Sequence, residues 1–237
     1  MKNEISLVFD FLDPWGWVAE RRLRLAMRRA EFTGTITYLP CRTYFSKKAV
    51  GQQYSDYQKR RFGSQAETHE KRVIAEASGL GIALEVLNVQ KIPDPWLAML
   101  ALAKEHQHAP GLFDAFYGAI FRDGRDVGNS EVMSELLQQH SADFTARDLL
   151  RDGPLTGELL KREQLVAQWS HNLTPCIRIG DAIVSGAQPP SILEQLLMKP
   201  APAPAIGSDG ALSSAGSCVI RNIVERRAPI INLPTVP

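Results

Sequence analysis

Positions 5–11 mix apolar and polar residues in a β-rich run, which predicts a buried strand. Asp13-Pro14 follows directly. Asp favours the N-cap and Pro the first helical position, so a helix is expected from Pro14 to about Ala30. Residues 35–40 form a second β-rich run after a turn at Gly34. Strand, helix and strand within about 40 residues make a βαβ unit with a right-handed crossover. From Gln52 to about Gln168 the pattern turns helical, interrupted at Gly63, Gly79, Gly81, Pro93, Pro95, Pro110, Gly124 and Gly153-Pro154. The clearest helices are 95–105 and 112–121, the latter with Phe113, Phe116, Tyr117 and Phe121 spaced for one face. Residues 82–87 read as an extended segment.

β-character returns at 176–179 and 182–184, and the Gly180-Asp181 pair between them fits a two-residue hairpin turn. Pro189-Pro190-Ser191 opens a last helix through Leu197. The order is therefore β-α-β, a helical block, then β-β-α. After Lys199 a Pro-Ala repeat makes a stiff, extended linker. The final stretch carries Val219-Ile220, Ile223-Val224 and Ile230-Ile231, too apolar for a purely solvated tail. It is expected to lie along the body or a partner subunit, or else to be a flexible end.

Composition narrows the classes. The chain has 237 residues, 44% hydrophobic and 22% charged, with a net charge of +1. No overall field recruits nucleic acid or an anionic membrane, and no stretch approaches the roughly 20 apolar residues of a membrane-spanning helix. The apolar start is short, is interrupted by Glu4 and Asp10, and lacks a cleavage site, so a cytoplasmic location is expected. Cys41, Cys176 and Cys218 are few, odd in number and far apart. They form no disulfide framework, no Cys-x-x-Cys and no zinc spacing. His106-x-His108 has the look of a metal pair but no third ligand nearby, so no metal is expected.

Three strings carry a resemblance. They are Phe9-Asp10-Phe11-Leu12-Asp13-Pro14-Trp15-Gly16-Trp17, then Asn172-Leu173-Thr174-Pro175-Cys176, then Ser185-Gly186-Ala187-Gln188-Pro189-Pro190. Together with the element order they resemble the DsbA-like family, in particular its FrnE-like branch. Related to that branch are 2-hydroxychromene-2-carboxylate isomerases and kappa-class glutathione transferases. The resemblance implies an α/β thioredoxin fold with a large all-helical insertion. It divides the chain into a thioredoxin-like domain at 1–50 and 170–198, an insertion at 51–169 and an extension at 199–237. It also implies a cis Thr174-Pro175 bond, with the backbone at Thr174 facing the helix start, where it pairs with an extended substrate or glutathione.

The chain departs from that pattern where it matters most. Asp13 and Gly16 stand where the family places its two cysteines, so thiol–disulfide exchange by the usual route is unavailable. The helix start still favours an anion. Asp13 is either a plain N-cap or a general base that orients substrate. His171 is either surface or an acid/base group, and Cys176 either an inert buried thiol or a lone nucleophile. Trp15, Gly16, Trp17, Thr174, Pro175 and Gln188 are the expected substrate contacts, with Thr174 also meeting the cofactor; the tryptophans, Tyr44, Phe45 and Trp96 equally suit the core. Lys47-Lys48 and Lys59-Arg60-Arg61 are a solvated face or the rim that greets a carrier protein or glutathione carboxylates.

Two readings follow. The first is a non-redox enzyme of isomerase, cyclase or transferase type, glutathione-assisted, acting on a small aromatic or polyketide-like metabolite as a homodimer. The other is a non-catalytic module that binds a peptide or subunit on a degenerate scaffold. Residual redox activity through Cys41 or Cys176 alone is a weaker third.

Overall fold

The computed structural model describes residues 4–106 and 109–198. Strand β1 (Glu4–Phe9) leads to α1 (Trp15–Arg29) and then β2 (Thr35–Pro40). Between β2 and the next strand lie α2 (Tyr44–Lys47), α3 (Tyr54–Phe62), α4 (Ala66–Ser78), α5 (Trp96–Lys104), α6 (Pro110–Phe121), α7 (Ser130–Gln139), α8 (Ala146–Arg151) and α9 (Gly153–Trp169). The chain then returns through β3 (Cys176–Ile179), β4 (Ala182–Ser185) and α10 (Pro190–Met198).

The sheet runs β2-β1-β3-β4. β1 pairs parallel with β2 and antiparallel with β3, and β3 pairs antiparallel with β4. Gly180 supplies the positive φ, 56°, that the β3–β4 turn needs. This is the expected thioredoxin fold with a helical insertion. The extension beyond Met198 and His108 lie outside the described residues.

Alternation along β1 sorts side chains between the two faces. Ile5, Leu7 and Phe9 join a large core that continues through α1, α5 and α6. Val8 points the other way, into a small cluster with Cys41, Val166 and Cys176. Phe9 meets Phe11 and Phe113 edge-on, each with ring centroids 4.9 Å apart. Such aromatic packing binds the insertion to the sheet through burial worth roughly 1.5–3 kcal/mol per large side chain.

Two local expectations shift. Residues 82–87 do alternate in burial, with Ile82, Leu84 and Val86 inside, yet the segment joins no strand of the described sheet. The segment is irregular and ends in a 3₁₀ turn at Val86–Asn88. Helix α1 begins at Trp15 rather than Pro14, so Asp13 sits one residue outside the cap position.

Candidate functional site

The register brings four connections to one end of the sheet. Phe9 lies beside Pro40, Val8 beside Cys176, and Cys176 beside Ser185. The chain leaving β1, the chain leaving β2, the approach to β3 and the exit from β4 therefore meet there. Backbone bonds tie them together: Cys41 N–H donates to Phe9 O at 2.8 Å and Gly186 N–H to Pro175 O at 2.7 Å. The Thr174-Pro175 bond is cis, as the resemblance implies.

Asp10 organises the turn before α1. Its buried carboxylate accepts from Leu12 N–H at 3.0 Å and from Thr43 N–H at 2.9 Å. Burial pushes its pKa up, while hydrogen bonds from Ser46, Thr43 and Leu12 and the charge of Arg61 pull the other way. Tyr117, from α6, fixes the same turn from below. Its hydroxyl donates to Asp10 O at 2.9 Å and lies 3.3 Å from Asp13 O.

Asp13 is buried and doubly held. Oδ1 accepts from Trp15 N–H at 3.0 Å, and Oδ2 accepts from Arg61 Nη2 at 2.7 Å. Arg61 comes from the end of α3 and is itself largely enclosed, with Nη1 3.3 Å from the Tyr57 hydroxyl. Burial works against its charge, but Asp13 and Tyr57 overcome that and raise its pKa. The helix start is thus supplied with an anion and a matched cation from within the chain.

Gly16, where the resemblance places the family's second cysteine, has no room for a side chain. A Cβ there would fall far inside contact distance of the Tyr117 hydroxyl and close against Phe9. Tyr117 fills the space a second cysteine would need.

An aromatic and basic shelf flanks Asp13. Trp15, half-buried, donates its indole N–H to His69 Nε2 at 3.0 Å. His69 stacks on Phe62 with centroids 3.7 Å apart and planes 20° from parallel. Burial lowers the His69 pKa, opposed by Asp13 and assisted by Arg61 and Arg72. A neutral imidazole accepting at Nε2 carries its proton on Nδ1. Arg72 lies over the Trp15 ring, 5.6 Å from its centroid.

The remaining expected site residues separate. Trp17 is core, stacked on Tyr117 with its indole N–H spent on Asp114 at 2.7 Å. His171 is exposed just past α9, with a left-handed φ of 54°. Cys176 is buried beside Val8, and burial pushes its pKa up to about 11. Cys41 is pushed up to about 12 by burial, with Glu163 and Asp10 adding to it. Gln188 folds back to donate to Ser185 O at 2.5 Å. Thr174 is half-buried, and its Oγ1 is buried with no partner among the described residues.

Arg61, His69 and Tyr117 are the residues that sequence reasoning missed or placed differently. Arg61 was legible only as part of a basic run. The buried face of α3 offered a signal, since Tyr57 and Arg61 are four apart and share a side of the helix.

A family model for the DSBA-like thioredoxin domain matches residues 4–198. The chain belongs to the DSBA-like thioredoxin family. Among solved structures, it is similar to the "probable DsbA oxidoreductase" of Streptomyces coelicolor, at 24% identity and TM-score 0.69, covering 89% of this chain and 99% of that one. It is also similar to a 2-hydroxychromene-2-carboxylate isomerase, at 15% identity and TM-score 0.60, covering 81% and 93%. The cytosolic disulfide reductase DsbM from Pseudomonas aeruginosa, solved with GSH, aligns at 14% identity and TM-score 0.56, covering 82% and 96%. These likenesses are to the fold. No curated protein matches. Among the described residues no helix is long and apolar enough to cross a membrane, and no group of His, Cys, Asp and Glu could hold a metal.

Proposed function

We propose that this DSBA-like chain is a non-redox enzyme of isomerase, cyclase or transferase type. It acts on a small aromatic or polyketide-like metabolite at the start of α1, in the cytoplasm and as a homodimer. The observation that carries the reading is the replacement of the dithiol by Asp13, held by Arg61, and by Gly16, closed by Tyr117. The two described thiols are buried, which supports a site that does not use its own sulfur.

Glutathione is the cofactor this reading assigns. The orphaned Thr174 Oγ1 beside Pro175 fits a peptide-like ligand, which would give that buried oxygen a partner. Thr174 and Pro175 would hold the ligand, and a bound glutathione would supply a nucleophilic thiol. The positive end of the α1 dipole and the Arg61 guanidinium lie where a developing anion would form. Asp13 and the neutral His69 are the groups available to take or give a proton, and Trp15 lines the approach.

Titration calorimetry with reduced glutathione and S-methylglutathione tests the reading. Millimolar or tighter binding, weakened by Thr174→Val and Arg61→Met, is the expected result. No heat from glutathione, from any aromatic acid or from any CoA ester would overturn it. So would insulin reduction above the uncatalysed rate, because that needs a working dithiol.

A second reading, a peptide- or subunit-binding module, draws on one feature. Leu173 is 51% exposed directly before Thr174, an apolar handle next to an open backbone. Capture of an extended peptide or a carrier protein with no turnover would favour it.

A further inference from the structure

Away from the α1 site, a groove of about 800 Å³ opens between residues 87–94 and the 123–128 loop. Its walls are apolar at Val50 and Leu87 and acidic at Asp94, Asp123 and Asp126, with Gly124 packed close against the Asn88 carbonyl. Leu87 is 87% exposed and Val50 46% exposed, and both line the groove. Asp123 is paired with Arg122 at 2.7 Å. Asp94 and Asp126 accept only a backbone N–H each, from Trp96 at 3.0 Å and Gly128 at 2.8 Å, and are in no ion pair among the described residues. Among the described residues Lys91 is the one cation lining the groove.

The chain carries a segment of matching chemistry. Residues 218–231 set Val219, Ile220, Ile223, Val224, Ile230 and Ile231 among Arg221, Arg226 and Arg227, against a single acid, Glu225. We propose that this C-terminal segment docks in the groove of its own chain. Its isoleucines and valines would cover Leu87 and Val50, and its arginines would face Asp94 and Asp126. Charge complementarity and apolar complementarity thus fall on the same two surfaces.

The connection is long enough. About 20 residues separate Met198 from Val219, an extended reach of up to ~70 Å. That exceeds the ~40 Å breadth expected of a body of about 200 residues. A tether of about 20 residues holds the segment's effective concentration at its own body high.

Hydrogen exchange read by mass spectrometry on the full chain tests the docking. Amides at 219–224 exchange slowly in the parent protein, and about tenfold faster or more in Leu87→Asp and in Arg226→Asp/Arg227→Asp. Both variants alter exposed or C-terminal positions, and unchanged exchange in β1 verifies that the fold is kept. Exchange at the unstructured-peptide rate in the parent overturns the proposal, as does protection that neither variant reduces. Protection that disappears on dilution assigns the segment to a second copy and overturns docking within one chain.

Discussion

Arg61 Nη2 stands 2.7 Å from Asp13 Oδ2, and this pair, rather than a dithiol, occupies the start of α1. The side chains are 15% and 4% exposed, so neither charge has water to fall back on. Removing one partner leaves the other buried and uncompensated, which typically costs about 3–5 kcal/mol. Asp13→Ala and Arg61→Met are therefore each expected to destabilise by about 3 kcal/mol. The double variant should lose clearly less than the sum, as read from urea midpoints in a double-mutant cycle. Additive losses would show that the two groups do not support one another.

Restoring cysteines should fail to restore a dithiol. In Asp13→Cys/Gly16→Cys, the new Cβ at position 16 meets the Tyr117 hydroxyl, an overpacking of about 1–3 kcal/mol. Adding Tyr117→Phe removes the clashing oxygen. The expected outcome, under an added oxidant such as oxidised glutathione, is a 13–16 disulfide, seen as the loss of two hydrogens in mass, that forms readily only in the triple variant. A double variant that oxidises as easily would show that Tyr117 does not guard the position.

His69 sets a pH response. Burial lowers its pKa in the folded state below the ordinary 6.5. The folded protein therefore favours the neutral ring, and the resulting stability is complete above about pH 6.5. It is lost as pH falls through the lower, folded-state value. Protonation also turns Nε2 into a donor facing the Trp15 indole N–H, so that bond must break. Stability between pH 7.5 and 5 should fall in the parent and change less in His69→Phe. Trp15 fluorescence should shift over the same window.

The thiols of Cys41 and Cys176 should resist alkylation. Both are buried, and their pKa values are pushed up to about 12 and 11, so little thiolate exists at pH 8. Peptide mapping after iodoacetamide should show both unmodified in the native protein and both modified in guanidinium. Labelling of Cys176 within minutes under native conditions would return it to the list of nucleophiles.

The scaffold was legible because its signals are local. The β2 run, the Gly180-Asp181 turn and the Pro-opened α10 each declare themselves within a few residues, and their order implies the fold. Asp13 and Gly16 were legible too, as departures from a familiar string. What completes them was not. Arg61 lies 48 residues from Asp13, and Tyr117 lies 104 from it. Such pairings are decided by how α3 and α6 pack on the sheet. The run Lys59-Arg60-Arg61 reads as a solvated face, and Lys59 and Arg60 are indeed exposed, but the helical period turns Arg61 inward beside Tyr57. Trp17 and Trp15 were indistinguishable in sequence. The same helix rotation sends one to the core and leaves the other at the edge.

The ion pair at the start of α1 has a consequence for where this protein can operate. A cysteine pair at that position gains and loses electrons with its surroundings, so its charge and shape follow the ambient thiol–disulfide potential. A carboxylate locked to a guanidinium has no second oxidation state. The Asp13–Arg61 turn keeps one geometry and one electrostatic character whether the milieu is oxidising or reducing, so the start of α1 itself carries no group that follows redox fluctuation.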